Sequence, residues 1–471
     1  MKKLYIISIL AISMAMMSCG EDFLSPSPTD SISEAGFYET QGQLEAGVIN
    51  MYDGIQGDNS TGTNDNRSVQ IEFYMAEMLS DNTKTKSSEG EAAQFENYSV
   101  EATNGIVTDY YRSMYDIIFR ANTVLENIDV ATTKKAQFEG EAKFVRAYAY
   151  FNLVRIFGDV PLIDKVIDPL ETEQQFTRVA SSEIYNLIVS DLTTAAANLD
   201  NRFKNRASRG AAQALLAKVQ LTLGNYSEAR TLCESVMGTD YALEANFKDI
   251  FFSEGNSEVI FAVGYVSDDT NDSQNFSAEW LNAVGRTTGV NYVTEEAKAA
   301  LDALGGNRTE FSYRQDALQT EFNQVVKYIP DGDDNLGITA VSSNPTLAGN
   351  DWIVIRYADV LLMHVEAIMA GGANTVDGAA IASFQTVRDR AGLTSPVSEV
   401  TKQQLLDERR VELAFENQRF FDLKRFGLAV DVLTEYSTNN GYTFSGTDLL
   451  LPIPQREINL SNGLLSQNPG F

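Results

Sequence analysis

The sequence predicts a mainly α protein, with tetratricopeptide-like helical hairpins forming a scaffold, irregular loop-rich insertions and a few short strands. Three observations carry this. Residues 139–157, EGEAKFVRAYAYFNLVRIF, place Phe144, Ala147, Tyr148, Phe151 and Val154 at the three- and four-residue spacing of a helix face. Residues 208–237, SRGAAQALLAKVQLTLGNYSEARTLCESVM, read as two helices broken at Gly224-Asn225. Residues 240–355, and a similar stretch at about 56–105, are instead rich in polar loop formers.

The first residues read as an export signal rather than as fold. Lys2 and Lys3 precede LYIISILAISMAMM, an apolar run too short to span a bilayer comfortably. Ser18-Cys19 follows, a small residue before a cysteine, as at a bacterial lipoprotein processing site; Met16 stands where Leu is usual. We therefore expect residues 1–18 to be a signal peptide, Cys19 to be acylated, and 19–30, with its Ser/Pro-rich stretch, to be a tether. The remaining length is ample for one large domain or two. Cys233 is the one other cysteine, so no internal disulfide remains once Cys19 carries lipid.

Along the domain, Val145, Tyr150 and Leu153 make helix 139–157 apolar around most of its circumference, which predicts an internal helix. Gly158 stops it and Pro161 prevents continuation. Leu223-Gly224-Asn225-Tyr226, followed by Ala229, looks like the turn of a tetratricopeptide repeat, in which a small residue lets two helices close and the Tyr fills the gap. Further pairs are expected at 109–128 with 134–157 and at 356–371 with 377–392, plus a helix around 181–199. These pairs have no fixed period, so the reading is of hairpins separated by insertions, not a regular solenoid. EVIFAVGYV (258–266) and VVKYI (325–329) are strand-like. Loop-rich segments over a rigid scaffold are where binding sites usually sit.

Composition excludes several functions. The net charge is −29, and residues 1–18 contribute two lysines and no acid, so the remainder is more negative still. Such a surface argues against nucleic acid and against electrostatic docking on anionic lipid. His364 is the one histidine, so neither a His-pair metal site nor a Ser–His or Cys–His catalytic unit can be built; packing is expected of it and of Cys233. DGDDNLG (331–337) begins like a calcium loop with Asp331, Asp333 and Asn335, but Leu336 and Ser342 occupy the positions that need Gly and Glu, so an acidic turn is expected. Phosphate-cradling glycine motifs are absent, and no cofactor is expected.

DERRVELAFENQRFFDLKRF (407–426) repeats Glu408, Glu412 and Glu416 every four residues. A glycosidase needs two carboxylates flanking a sugar, whereas neighbours on one helix point the same way. Arg409–Glu412 and Glu416–Arg419 lie at i,i+3 and would neutralise the acids. We expect a paired structural network at the edge of the core, with Arg409 and Arg410 anchoring other helices' carboxylates or C-termini, and no catalytic residue.

Five ordered blocks then resemble the SusD/RagB family of outer-membrane nutrient-binding lipoproteins from Bacteroidetes. They are GEAKFVRAYAYFNLVRIFGDVPLI (140–163), RGAAQALLAKVQLTLGNYSEA (209–229), WIVIRYADVLLMHVEA (352–367) with VRDRAGL (387–393), the 407–426 run, and LLLPIPQREINLSNGLLSQNPGF (449–471). His364 departs from the family's usual Ala or Arg. The resemblance implies four tetratricopeptide-like hairpins bearing an irregular ligand face. It implies a lipid-anchored protein on the outer face of the outer membrane, which caps a SusC-like TonB-dependent transporter and binds an oligo- or polysaccharide without cleaving it. Acidic Gly20-Glu21-Asp22 after Cys19 fits surface export. Ligand contacts are expected outside the blocks, from aromatic rings that stack on sugars and polar groups that bond hydroxyls: Trp280, Tyr292, Arg67, Tyr74, Asp81 and Asn82. Trp352 is expected to be packed. The alternatives are a protein of the same type that binds peptide or another nutrient, a glycoside hydrolase, and a pure protein-binding scaffold.

Overall fold

Helices are laid down in sequence and most pack on the next. The structure, a computed structural model, describes residues 37–59, 66–85, 90–168, 170–280, 291–317 and 319–471; Cys19 and the expected signal and tether lie outside them. The scaffold comprises α1 (Gln41–Gln56), α2 (Ser68–Ala76), α3 (Gly105–Glu126), α4 (Lys135–Phe157), α5 (Ser181–Asn198), α6 (Arg209–Thr222), α7 (Tyr226–Met237), α8 (Tyr357–Met369), α9 (Gly378–Arg390), α10 (Lys402–Glu412) and α11 (Arg419–Arg425). Contacts run α1–α3–α4–α5–α6–α7–α8–α9, so the expected hairpins form one continuous stack.

Local chemistry sets the boundaries. Thr40, Asn104, Ser208 and Asp377 side chains accept backbone N–H groups at the starts of α1, α3, α6 and α9, and Thr401 with Gln404 makes a capping box on α10. Helix α4 is buried over most of its length and ends at Gly158, whose φ of 72° a side chain would oppose. Gly224, at φ 76°, breaks α6 from α7 as expected. Tyr226, however, reaches beyond its own hairpin: a Cβ on Gly371, just past α8, would lie 3.0 Å from its hydroxyl. The apolar faces merge into one core extending from Leu44 to Leu465.

The strands are short. Strands β1 (Thr83–Lys84), β2 (Val259–Val263), β3 (Tyr292–Val293), β4 (Tyr313–Gln315), β5 (Asn323–Val325) and β6 (Trp352–Arg356) pair antiparallel as β1–β3, β2–β6 and β4–β5. In the VVKYI run only Val325 is strand; Val326 and Ile329 leave it to form a small satellite core with Ile338. The DGDDNLG turn presents Asp333 to Arg314 at 2.6 Å. His364 packs between helices, its Nδ1 2.9 Å from Ser383 of α9 and its Nε2 3.5 Å from Glu234 of α7. Cys233 is fully buried, and burial raises its thiol pKa.

The 407–426 run is not one helix. α10 ends at Glu412, and Phe415 and Asn417 adopt φ of 65° and 57° before α11 begins. The i,i+3 pairings expected from sequence do not form: Glu416 and Arg419 lie across this break, while Arg409 and Glu412, both in α10, take other partners. Glu412 instead meets Arg308 at 2.6 Å, Arg356 at 2.5 Å, and Arg390. Glu408 takes Arg308 and Arg388, and Glu416 takes Arg356 and Lys327. Arg409 bridges Asp359 and Asp422 at 2.8 Å each, an anchoring role of the kind expected. The network lies within the core rather than at its edge: Arg308, Arg356, Arg409 and Glu412 are at most 1% exposed.

Candidate functional site

The two loop-rich insertions, two hundred residues apart in sequence, meet on one face. Strand β1 pairs with β3, with Thr83 opposite Val293 and Lys84 opposite Tyr292. Thr294 reinforces the seam: its hydroxyl donates to the Asp81 carbonyl at 2.7 Å and its N–H to that of Asn82 at 3.0 Å. The same hydroxyl accepts the Ala297 N–H and so starts the next helix, Glu295–Leu304. Beneath the seam, Phe73 of α2 meets Trp280 edge-on at 5.9 Å between ring centroids. Trp280 also contacts Tyr328 at 4.9 Å, and Tyr328 lies 5.2 Å from Trp352, so both tryptophans of the chain belong to one aromatic wall.

All six residues expected to bind ligand lie in these two insertions, but burial changes their roles. Trp280 is 1% exposed, so its ring is a wall element rather than the open stacking platform expected. Tyr292 is equally buried, its ring stacked on Phe322 at 4.3 Å. Tyr74 stacks on Phe73 at 4.2 Å. Asp81 is held by Arg419 at 2.8 Å and Arg410 at 3.0 Å; burial opposes its charge, but these guanidiniums pull its pKa well below the ordinary carboxylate value. Asn82 donates to Glu77 and accepts from Arg410. Both polar groups are thus engaged inside the protein. Arg67 alone stays half-buried; its backbone N–H donates to Ser113 Oγ at 2.9 Å and its guanidinium Nε has no partner.

Among the described residues, several further polar atoms here lack partners: Trp280 Nε1, the hydroxyls of Tyr292 and Tyr328, and both ends of the Asn291 carboxamide. Buried polar groups are nearly always bonded, so such a concentration marks a place where water or a ligand supplies partners. Sequence reading missed Tyr328 and Asn291. Tyr328 follows β5 in VVKYI, a run that reads as packing; Asn291 was signalled only by its adjacency to Tyr292. Among the described residues no three His, Cys, Asp or Glu side chains gather as a metal site, and no helix is long and apolar enough to cross a membrane.

Two family profiles match the chain. That of the SusD family covers residues 325–471, and one described as starch-binding associating with outer membrane covers residues 22–221. The chain belongs to the SusD/RagB family. Among curated SusD relatives, SusD-like protein P2 of Formosa agariphila is 26% identical over the full length of both chains. Starch-binding protein SusD of Bacteroides thetaiotaomicron is 24% identical over 77% of this chain and 78% of its own. Among solved SusD-like structures, a laminarin binding SusD-like protein is 28% identical, with a TM-score of 0.74 over 92% of this chain and all of its own. Surface glycan-binding protein A from Bacteroides thetaiotaomicron in complex with laminarihexaose superposes with a TM-score of 0.75 at 21% identity, over 91% of this chain and 99% of its own, a likeness of fold.

Proposed function

We propose that this protein captures a neutral oligo- or polysaccharide on the face where the two insertions meet and delivers it to a SusC-like TonB-dependent transporter. One observation carries the reading: unbonded donors cluster over an aromatic wall, on a chain that matches a laminarin binding SusD-like protein along that protein's whole length. Arg67 contacts the sugar directly; Trp280, Tyr292 and Tyr74 form the apolar wall beneath; Asp81 and Asn82 hold the loop in place. The net charge of −29 favours neutral over polyanionic chains. Residues 1–18 direct export, and acylated Cys19 with its tether holds residues 31–471, a single SusD-like domain, on the outer face of the outer membrane. Two acyl chains suffice for stable anchoring.

The protein is a binder, not a hydrolase. The carboxylates of the 407–426 run, Glu408, Glu412 and Glu416, are each bridged by at least two cations, so none is free to act as an acid or nucleophile. Calorimetry of the purified protein against soluble glycans, including laminarin and starch oligosaccharides, tests the reading. Affinity for one class, with no release of reducing ends, is expected. Binding to none, together with no barrel partner in a mild-detergent pull-down, overturns it.

A further inference from the structure

A second concave region lies across the β2–β6 ribbon. Side chains alternate along β6, so Ile353 faces away from the wall that Trp352 joins. Ile353 borders a cavity of about 440 Å³, and an adjoining cavity of about 570 Å³ runs on toward the C-terminal end of α1. Asn205, Glu254, Ala262 and Asp351 border both, so the two form one cleft with lobes of the size that small ligands occupy.

The junction carries two acids, Asp351 and Glu254, that form no ion pair among the described residues. The Asp351 carboxylate accepts the Tyr265 N–H at 3.1 Å and has no ion-pair partner among the described residues. Burial, with added repulsion from Glu254, pushes its pKa up to about 6. Neither cation that borders the cleft pairs with these acids: Arg206 grips Glu141 through two 2.8 Å bonds, and Lys204 donates to the Asn256 carbonyl. Asn350, which borders the first lobe, is 3% exposed, and neither the nitrogen nor the oxygen of its carboxamide has a partner. A buried, unbonded carboxamide and an unpaired carboxylate both carry a desolvation cost that a bound polar ligand would relieve.

We propose that this cleft is a second binding site, separate from the glycan face, and that it takes an amino sugar, with the ammonium group between Asp351 and Glu254 and ring hydroxyls bonded to Asn205 and Asn350. Two neighbouring carboxylates that form no ion pair among the described residues favour a positively charged group over a neutral or anionic one. The carboxamides offer both donors and acceptors to hydroxyls, and Tyr52, Phe252 and Ile353 supply apolar surface for a ring. The proposal does not depend on the glycan-capture reading.

Three disaccharide probes test it by calorimetry on the purified protein: β-1,4-linked glucosamine dimer, its N-acetylated counterpart and cellobiose. The glucosamine dimer is expected to bind at least about tenfold tighter than either of the others, a difference that follows from one charge-assisted contact. Asp351→Asn and Glu254→Gln should each weaken it severalfold. Glu254 is exposed, so E254Q reports on binding even if D351N fails to fold. Bound glucosamine dimer should not displace a glycan held at the insertion face. Equal affinity for all three probes, no binding of the glucosamine dimer, or unchanged affinity in E254Q overturns the proposal. Each of these outcomes is independent of whether laminarin or starch fragments bind.

Discussion

Arg356 and Glu412 face each other at 2.5 Å, with side chains 1% and 0% exposed. Burial alone would raise the Glu412 pKa, but Arg390, Arg356 and Arg308 draw it well below the ordinary carboxylate value. Glu412→Gln leaves three buried guanidiniums short of a charge. A loss of about 3–5 kcal/mol by chemical denaturation is expected, the range for removing one partner of a buried pair. Glycan affinity of the folded fraction should be unchanged; lost affinity at unchanged stability would contradict the structural role assigned here.

Glu77 gives a prediction in pH. Burial pushes its pKa up to about 7, partly offset by the Asn82 side chain and the Asn417 N–H. A carboxyl group raised above its unfolded value binds a proton on folding between that value and 7. Its contribution is complete below about 4.5 and is lost as pH rises toward 7. Glu77→Gln keeps an uncharged group at the site, so stability relative to the parent should improve steadily from pH 4.5 to 7. A pH series of urea midpoints measures this; a difference that stays constant with pH would refute it.

Trp280→Ala separates the wall role from the platform role. Removing a ring buried among Phe73, Phe276, Tyr328 and Trp352 should cost about 3–5 kcal/mol and lower Tm by several degrees. An exposed stacking residue would instead lose affinity at constant Tm. Thermal scans with and without ligand distinguish the outcomes.

What the sequence made legible was whatever depends on near neighbours. The limits of α4, α6 and α7 follow from apolar spacing and from Gly158 and Gly224, whose positive φ is a local requirement. The two insertions read as loop-rich, but no local signal could show that β1 of one would pair with β3 of the other. The partners of Glu412 were illegible. Arg308 and Arg356 lie 104 and 56 residues away and reach Glu412 from other elements, while its helix neighbour Arg409 turns to Asp359 and Asp422. The burial of Trp280 likewise depends on Tyr328 and Phe73, brought in from either side of it in sequence.

Arg67→Ala tests the remaining accessible contact. Arg67 is half-buried, its guanidinium Nε is unbonded, and its backbone bond to Ser113 survives the change. Glycan affinity should fall about tenfold, the equivalent of one charge-assisted hydrogen bond, with Tm within about a degree of the parent. Unchanged affinity would remove Arg67 from the binding face.

The buried charge network also dictates when folding can finish. Arg308, Arg356 and Arg390 precede the carboxylates of α10 in the chain, and Asp81 waits for Arg410 and Arg419, more than three hundred residues downstream. A nascent chain that has not yet released residue 419 would have to bury these groups with their counter-charges missing. Closure of the core is therefore a late event that depends on contacts distant in sequence, a topology associated with slow folding. A product stopping short of α10 would lack the α10 acids that pair with Arg308, Arg356 and Arg390 and is expected to stay open to proteolysis.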